Sequence, residues 1–384
     1  MSSFLQNTRR RLIKSAFTLA RVFPIKPHKI VLINMNGKGY GDSPKAIADY
    51  ILEKKLDYEL VWLVKSQNSE IPESIRQVKI GTFSEIFHLT TAGFWISNIR
   101  LPYSYEKRKG QIYFQLWHGG IGIKRIERLV EDKLSPYYIE SAKRDSKRTD
   151  YFISGSAFTT DLFKRAFWYE GPILELGCPR NDRFFDPKGP IVAKVKAAFH
   201  LSETDRIILY APTFRNDNSL SAYDLDLHKV QEAFQAQGPR KVVILVRLHP
   251  NIAALSSQMS FSDVIQNASF YPDMAELLIA CDALISDYSS SMFDMMFLDT
   301  PVYMYAKDLE DFLSDRGAHF DLGLLPYKVA RTTDQLIDQI RSFDPIRYQK
   351  DSDVLKEKMG IFDDGHATQR FVDLLNTLHP FKKA

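Results

Sequence analysis

The chain has 384 residues, 45% hydrophobic and 26% charged. That is a globular composition too long for one ordinary core, so two domains are expected. A net charge of +4 gives no reason to expect a nucleic-acid partner. Two cysteines, Cys178 and Cys281, exclude a disulfide framework and a thiolate zinc cluster and suit a reducing cytosol. No apolar run reaches the ~20 residues of a membrane span, and charge interrupts the N-terminal apolar residues where a signal peptide would have none.

Residues 1–28 read as a basic amphipathic helix. Arg9, Arg10, Arg11, Lys14, Arg21 and Lys26 are accompanied by no acid. A helical wheel puts Leu5, Leu12, Ala16, Leu19, Ala20 and Phe23 on one face and Arg10, Lys14 and Arg21 opposite. Such a helix either lies in the headgroup layer of an anionic membrane or packs on the protein's own surface with its charges solvated. Beyond it, apolar runs predict strands at 29–34, 59–64, 92–97, 111–117, 151–154 and 173–176. Helices are expected at 44–54, 83–91 and 158–167. Stretch 185–190 carries Pro and Gly and reads as a linker. Alternation then restarts, with strands at 206–210, 241–246, 283–286 and 301–305. Helices fall near 192–199, 226–235, 273–281, 290–298 and 309–314, before a mostly helical tail from Thr332. This pattern predicts two doubly wound α/β domains, 29–187 and 188–384, with ligands at the carboxyl ends of the strands.

Five polar clusters follow predicted strands. In Trp117-His118-Gly119-Gly120 the glycines admit close approach, and His118 is either a proton acceptor for an attacking hydroxyl or a turn histidine satisfied by backbone. In Gly177-Cys178-Pro179-Arg180-Asn181-Asp182, Arg180 either holds a phosphate or caps a helix. In Ala211-Pro212-Thr213-Phe214-Arg215, Arg215 is a candidate phosphate ligand. In Arg247-Leu248-His249-Pro250, alternation puts Arg247 and His249 on one side, a pairing suited to a diphosphate. In Ser286-Asp287-Tyr288-Ser289-Ser290, hydroxyls and helix N-terminal amides form an anion site, a simple N-cap, or both. Gly37-Lys38-Gly39-Tyr40-Gly41 is neither a dinucleotide fingerprint nor a P-loop. Asp224-Leu225-Asp226 reads as helix capping rather than a metal site.

In order and spacing these clusters resemble the CDP-glycerol glycerophosphotransferase family, primases and polymerases of teichoic acid and related capsular polymers. Asn36-Gly37-Lys38, Asp42-Ser43-Pro44-Lys45, Gln115-Leu116-Trp117-His118-Gly119 and the later block from Asp273-Met274-Ala275-Glu276 through Asp308-Leu309-Glu310 to Asp315-Arg316-Gly317 complete the match. The resemblance implies a GT-B fold, two Rossmann-type domains facing a central cleft, with no cofactor and no required metal. It implies His118 as general base and His249 as a donor-phosphate contact. Arg180, Arg215, Arg247, Thr213, Asp273, Ser286, Asp287, Ser289 and Ser290 would line the CDP-polyol site, and Trp117, Gly119 and Gly120 the acceptor side. The implied donor is CDP-glycerol or CDP-ribitol, and the implied acceptor a lipid-linked or oligosaccharide hydroxyl at the cytoplasmic face of the cell membrane, on an anionic surface. After the histidine the family pattern is Gly-Thr-Pro-Leu-Lys; here it is Gly119-Gly120-Ile121-Gly122-Ile123-Lys124, which leaves the acceptor open. The chain also lacks the long N-terminal extension of the large polymerases. A nucleotide-sugar glycosyltransferase and a non-catalytic nucleotide-binding subunit of an export complex are the rival readings.

Overall fold

The computed structural model describes residues 3–118, 120–215, 224–249 and 252–378, without the side chains of 3–11 and Arg316. Two units emerge. One holds the chain up to Gly120, Glu127–Arg183 and the stretch from Ile361 onward; the other holds Ile121–Ile126 and Phe184–Gly360.

The first unit is a parallel sheet of β1 (Lys26–Ile33), β2 (Glu59–Val64), β3 (Arg76–Lys79), β4 (Ala92–Ser97), β5 (Ile112–Gln115), β6 (Tyr151–Ile153) and β7 (Ile173–Leu174), in the order β3-β2-β1-β4-β5-β6-β7. Successive strand residues feed opposite faces. Ile30, Leu32, Trp62, Phe94 and Phe114 join one core cluster, and Val31, Ile33, Val61, Trp95 and Tyr113 another. With both faces covered, the strands are near-continuous apolar runs, which is why they were legible. Its helices include α1 (Ser3–Ala20), α2 (Asp42–Glu53), α3 (Phe83–Thr91), α4 (Pro136–Arg148) and α5 (Ala157–Ala166).

Helix α1 docks on this unit. Phe17 and Ala20 are each 1% exposed, and Phe17 enters the cluster of Val31 and Trp95. The expected apolar face is therefore split. Ala20 turns inward, while Leu12 and Leu19 stay 67% and 68% exposed.

The second unit repeats the plan with β8 (Arg206–Tyr210), β9 (Val242–Val246), β10 (Ile265–Asn267), β11 (Ala283–Ser286), β12 (Val302–Tyr305) and β13 (Val329–Ala330). All are parallel, in the order β10-β9-β8-β11-β12-β13. Its helices are α6 (Lys188–Ala198), α7 (Leu227–Gln235), α8 (Met274–Ala280), α9 (Ser291–Asp294), α10 (Leu309–Arg316), α11 (Thr333–Arg341) and α12 (Pro345–Met359). Strand order reverses between β1 and β4 in one sheet and between β8 and β11 in the other. These are the switch points where open α/β sheets bind ligands.

The expected boundaries need correction. Stretch 185–190 is no linker, because α6 begins at Lys188 and places Pro190 in its first turn. The unit boundary precedes it, since Phe184 and Phe185 pack on Phe297 with ring centroids 5.8 and 5.7 Å away. The tail does not stay with the second unit either. Helix α13 (Ala367–Thr377) buries Phe371, Val372 and Leu375 in the cluster of Ile47 and Phe114. Segment Ile121–Ile126, expected in the first domain, attaches to the second. There Ile123 is fully buried and its carbonyl accepts the His319 N–H at 2.8 Å.

Candidate active site

Strand β5 ends at Gln115, whose buried amide takes over where the ladder stops. Gln115 Oε1 accepts the Trp117 N–H at 2.9 Å, and Nε2 donates to the Ile99 carbonyl and the Tyr113 hydroxyl, both at 2.9 Å. Trp117 has φ +53°, unusual for a bulky side chain and a mark of local constraint. Its indole lies 4.4 Å from the His118 imidazole, with 30° between the planes. His118 Nδ1 sits 2.8 Å from the Asn98 carbonyl oxygen. A carbonyl only accepts, so Nδ1 carries the proton and Nε2 keeps its lone pair. That is the tautomer a general base needs. Beneath Trp117, Arg100 stacks on the Phe167 ring at 4.8 Å and donates to buried Glu127 at 2.8 Å. A Cβ added at Gly120 meets nothing within 4 Å, so the chain after the histidine borders open space. Gly119 lies outside the described residues.

The loop after β7 is held by the returning tail. Asp363 accepts the Cys178 N–H at 2.5 Å and the Asn181 amide at 3.0 Å. Asp182 caps α13 by accepting the Ala367 and Thr368 N–H groups at 3.0 and 2.7 Å. Burial raises the Asp363 carboxyl to about 6 and pushes the Cys178 thiol up to about 12, so Cys178 is no thiolate nucleophile. Arg180 is half-buried in the first unit, and its N–H donates to Ser43 Oγ at 3.3 Å. It therefore belongs to the unit that carries His118, whereas Arg215 and Arg247 belong to the other.

At the second switch point most of the expected ligands are committed to one another. Buried Ser286 donates to the Ala211 carbonyl at 2.6 Å. Asp287 accepts the N–H groups of Thr213 and Tyr288 at 2.9 and 2.7 Å. All five Arg215 donors are spent. Nε and Nη2 reach Asp308 at 2.6 and 3.1 Å, Nη2 also reaches Asp287 at 2.8 Å, and Nη1 serves the Thr213 carbonyl and hydroxyl at 2.8 and 2.7 Å. Arg215 is thus a bridge between loops rather than an open phosphate ligand. Burial opposes ionisation of Asp308, yet the Arg215 hydrogen bond holds its carboxyl below the usual range.

Arg247 turns one Nη toward the carbonyls of Ala268 and Tyr271. Burial lowers its pKa against the pull of Asp273. Asp273 itself caps α8, accepting the Ala275 N–H at 2.9 Å. His249 is exposed, with its ring 5.7 Å from Phe214; Pro250 lies outside the described residues. Ser289 Oγ lies 2.8 Å from Ser291 Oγ and accepts the Ser291 N–H at 3.2 Å. Ser290 is the N-cap residue but makes no side-chain cap bond. Helix α9 is one turn long and runs into a 3₁₀ turn, Met295–Phe297. The anion site expected there rests on two half-exposed hydroxyls, not on a long helix dipole. Asp226 caps α7 and Asp224 pairs with Lys307 at 3.1 Å, as the capping reading expected. Among the described residues no group of three or more His, Cys, Asp or Glu is placed to hold a metal ion.

Sequence reasoning passed over Asn34, Asn98, Arg100, Glu127 and Asp363, and gave Asp308 no role. Asn98 follows the predicted strand 92–97, the same signal that singled out His118, whereas Asn34 is the last residue of the predicted strand 29–34. Asp363 left no local signal, because its partners lie about 180 residues upstream.

The family model for CDP-Glycerol:Poly(glycerophosphate) glycerophosphotransferase matches residues 15–377. The teichoic acid poly(glycerol phosphate) polymerase of Staphylococcus epidermidis is 30% identical over 92% of this chain and 51% of its own length. Thus the chain spans about half of that relative. The teichoic acid glycerol-phosphate transferase of Staphylococcus aureus is 30% identical over 95% of this chain and 98% of its own length. A solved structure of the wall teichoic acid polymerase TagF matches with a TM-score of 0.83 at 28% identity, covering 97% of this chain and 95% of that one. TagF has also been solved as a histidine-to-asparagine variant soaked with CDPG. The glycosyltransferase WaaG, 12% identical with a TM-score of 0.51 over 91% of this chain and 100% of that one, shares the fold alone. The chain has the GT-B fold and belongs to the CDP-glycerol:poly(glycerophosphate) glycerophosphotransferase family.

Proposed function

We propose that the protein transfers a polyol phosphate, glycerol phosphate foremost, from a CDP-activated donor to an acceptor hydroxyl in teichoic acid synthesis. The observation that carries this reading is the His118 imidazole, fixed through Nδ1 to Asn98 with Nε2 left to accept a proton. The acceptor oxygen forms a bond to the phosphorus bearing the polyol, the bond to CMP breaks, and the acceptor proton passes to His118 Nε2. His249, Arg247, Ser289 and Ser290 contact the donor diphosphate. Such transfer depends mainly on positioning and charge stabilisation, and the reading needs no metal or cofactor. Glycerol is favoured over ribitol because relatives named for glycerol phosphate reach 30% identity, against 26% and 24% for those named for ribitol phosphate.

The acceptor is a lipid-linked or glycan hydroxyl, met at the cytoplasmic face of an anionic membrane. Exposed Leu12, Leu19 and Val22 support this, with exposed Lys14 and Arg21 beside them. No described helix is long and apolar enough to cross a bilayer, so the contact would be peripheral. The test is incubation with CDP-glycerol or CDP-ribitol, reading CMP release and product mass. CMP release with addition of a polyol phosphate is expected. His118→Ala lowers turnover by about a hundredfold or more and spares donor affinity, while His249→Ala weakens donor binding. Full activity in His118→Ala, or turnover of a nucleotide sugar with release of a nucleoside diphosphate, overturns the reading.

A further inference from the structure

Asn34 closes β1 and Asn98 closes β4, the two strands that flank the switch point of the first sheet. Both are buried, 4% and 0% exposed, in a place where unpaired amides are costly. Their side chains meet: Asn98 Nδ2 donates to Asn34 Oδ1 at 2.8 Å. Asn98 Oδ1 accepts the Met35 N–H at 3.0 Å. Asn34 Nδ2 donates to the carbonyls of Lys38 and Gly39 at 2.8 and 3.3 Å. The Asn98 peptide carbonyl is in turn the acceptor for His118 Nδ1. One continuous bridge therefore runs from the glycine-rich loop at 36–41, which the proposed reaction leaves without a role, through two amides to the base.

The loop is built to be held this way. Met35, Asn36, Gly37 and Gly39 all have positive φ, between 42° and 78°, and the Gly37 N–H returns to the Asn34 carbonyl at 2.7 Å. At Gly37 a Cβ would lie 2.5 Å from Ile80 and 2.9 Å from the Lys65 backbone, so no larger residue fits there. The loop backbone thus pins Asn34, Asn34 pins Asn98, and the Asn98 carbonyl selects the histidine tautomer. No carboxylate hydrogen-bonds His118 among the described contacts; the peptide carbonyl does the orienting that a carboxylate does in a catalytic triad.

We infer that Asn98 and Asn34 are positioning residues for the transfer, and that their amide bridge holds His118 in the Nδ1–H tautomer. This rests on the reading of His118 as the base. In the full-length protein, ¹⁵N spectra of the His118 imidazole report the tautomer directly. Wild type shows a protonated Nδ1 and an unprotonated Nε2. Asn98→Ala mixes the tautomers and lowers kcat about a hundredfold, with CDP-glycerol affinity within twofold of wild type. Asn98→Asp still accepts the Met35 N–H but can accept a hydrogen bond from Asn34 only if that amide turns over and gives up the Lys38 and Gly39 carbonyls, so it recovers only part of kcat.

A wild-type imidazole protonated at Nε2 overturns the inference without any variant having to fold. So does Asn98→Ala with wild-type kcat, or with an unchanged single tautomer. The two variant outcomes leave the general-base reading standing, whereas an Nε2–H imidazole in the wild type also removes the observation that carries it. Full activity of His118→Ala sinks that reading whatever the tautomer.

Discussion

Arg215→Ala separates two roles for one side chain, donor ligand and loop bridge. The substitution strips Asp287, which is 2% exposed, of its counter-charge. Asp287 keeps the N–H groups of Thr213 and Tyr288, and Asp308, with a side chain 25% exposed, keeps the Tyr288 hydroxyl at 2.9 Å and gains water. Removing one partner of a buried pair costs about 3–5 kcal/mol, and those surviving donors place the loss near the lower end, about 3 kcal/mol. In a unit of this size each kcal/mol moves the midpoint by about 2–4 °C, so a fall of roughly 6–12 °C is expected. The assay is thermal unfolding with and without saturating CDP-glycerol. At a hundred times Kd the ligand adds about 2.7 kcal/mol. If Arg215 only bridges loops, the variant keeps that increment. A midpoint within about 2 °C of wild type, coupled with a tenfold or greater loss of donor affinity, refutes the reasoning and returns Arg215 to the phosphate.

Other consequences are equally direct. Asp363 ionises near 6 in the fold and near 4 when unfolded, so its protonated form favours the native state. Its contribution is about 3 kcal/mol below pH 4, falls to about 1 kcal/mol at pH 5 and vanishes above pH 7. Denaturation midpoints of wild type and Asp363→Asn should therefore converge or diverge with pH across that window, and parallel curves would contradict the assignment. Phe371→Ala, which empties a fully buried place in the first unit, should destabilise that unit by about 3–5 kcal/mol; an unchanged first unfolding transition would mean that α13 does not complete its core. Leu12→Gln with Leu19→Gln alters side chains 67% and 68% exposed, so folding is kept while sedimentation with anionic vesicles falls at least about tenfold. Undiminished sedimentation removes α1 as the membrane contact. This pair is a cleaner test than truncation, which would also remove buried Phe17 and Ala20.

Strands such as Glu59–Val64, Ala92–Ser97 and Arg206–Tyr210 were legible because a parallel strand covered on both faces is an unbroken apolar run. Strand β3 was not, since only Val78 of Arg76–Lys79 is buried at the sheet edge. Helix α13 reads as amphipathic, but periodicity does not say which of two sheets its face will cover. The polar clusters at strand ends were legible for a similar reason: a side chain that breaks an apolar run at a carboxyl end lands at the switch point. Their division of labour was not. Arg215 and His249 look alike as candidates in one dimension, and they part only in their three-dimensional surroundings. Arg215 spends five on its neighbours, while His249 is exposed. Both switch points follow one rule. A buried polar side chain after one central strand bonds across to the chain after the other, Asn98 to Asn34 in the first unit and Asp287 to Thr213 in the second. Those bonds satisfy groups the ladder leaves behind, and in the first unit they hold the peptide carbonyl that His118 bonds. The least conspicuous polar residues at each strand end thus hold the scaffold, and His118 is aimed by a peptide group that no side-chain motif could reveal.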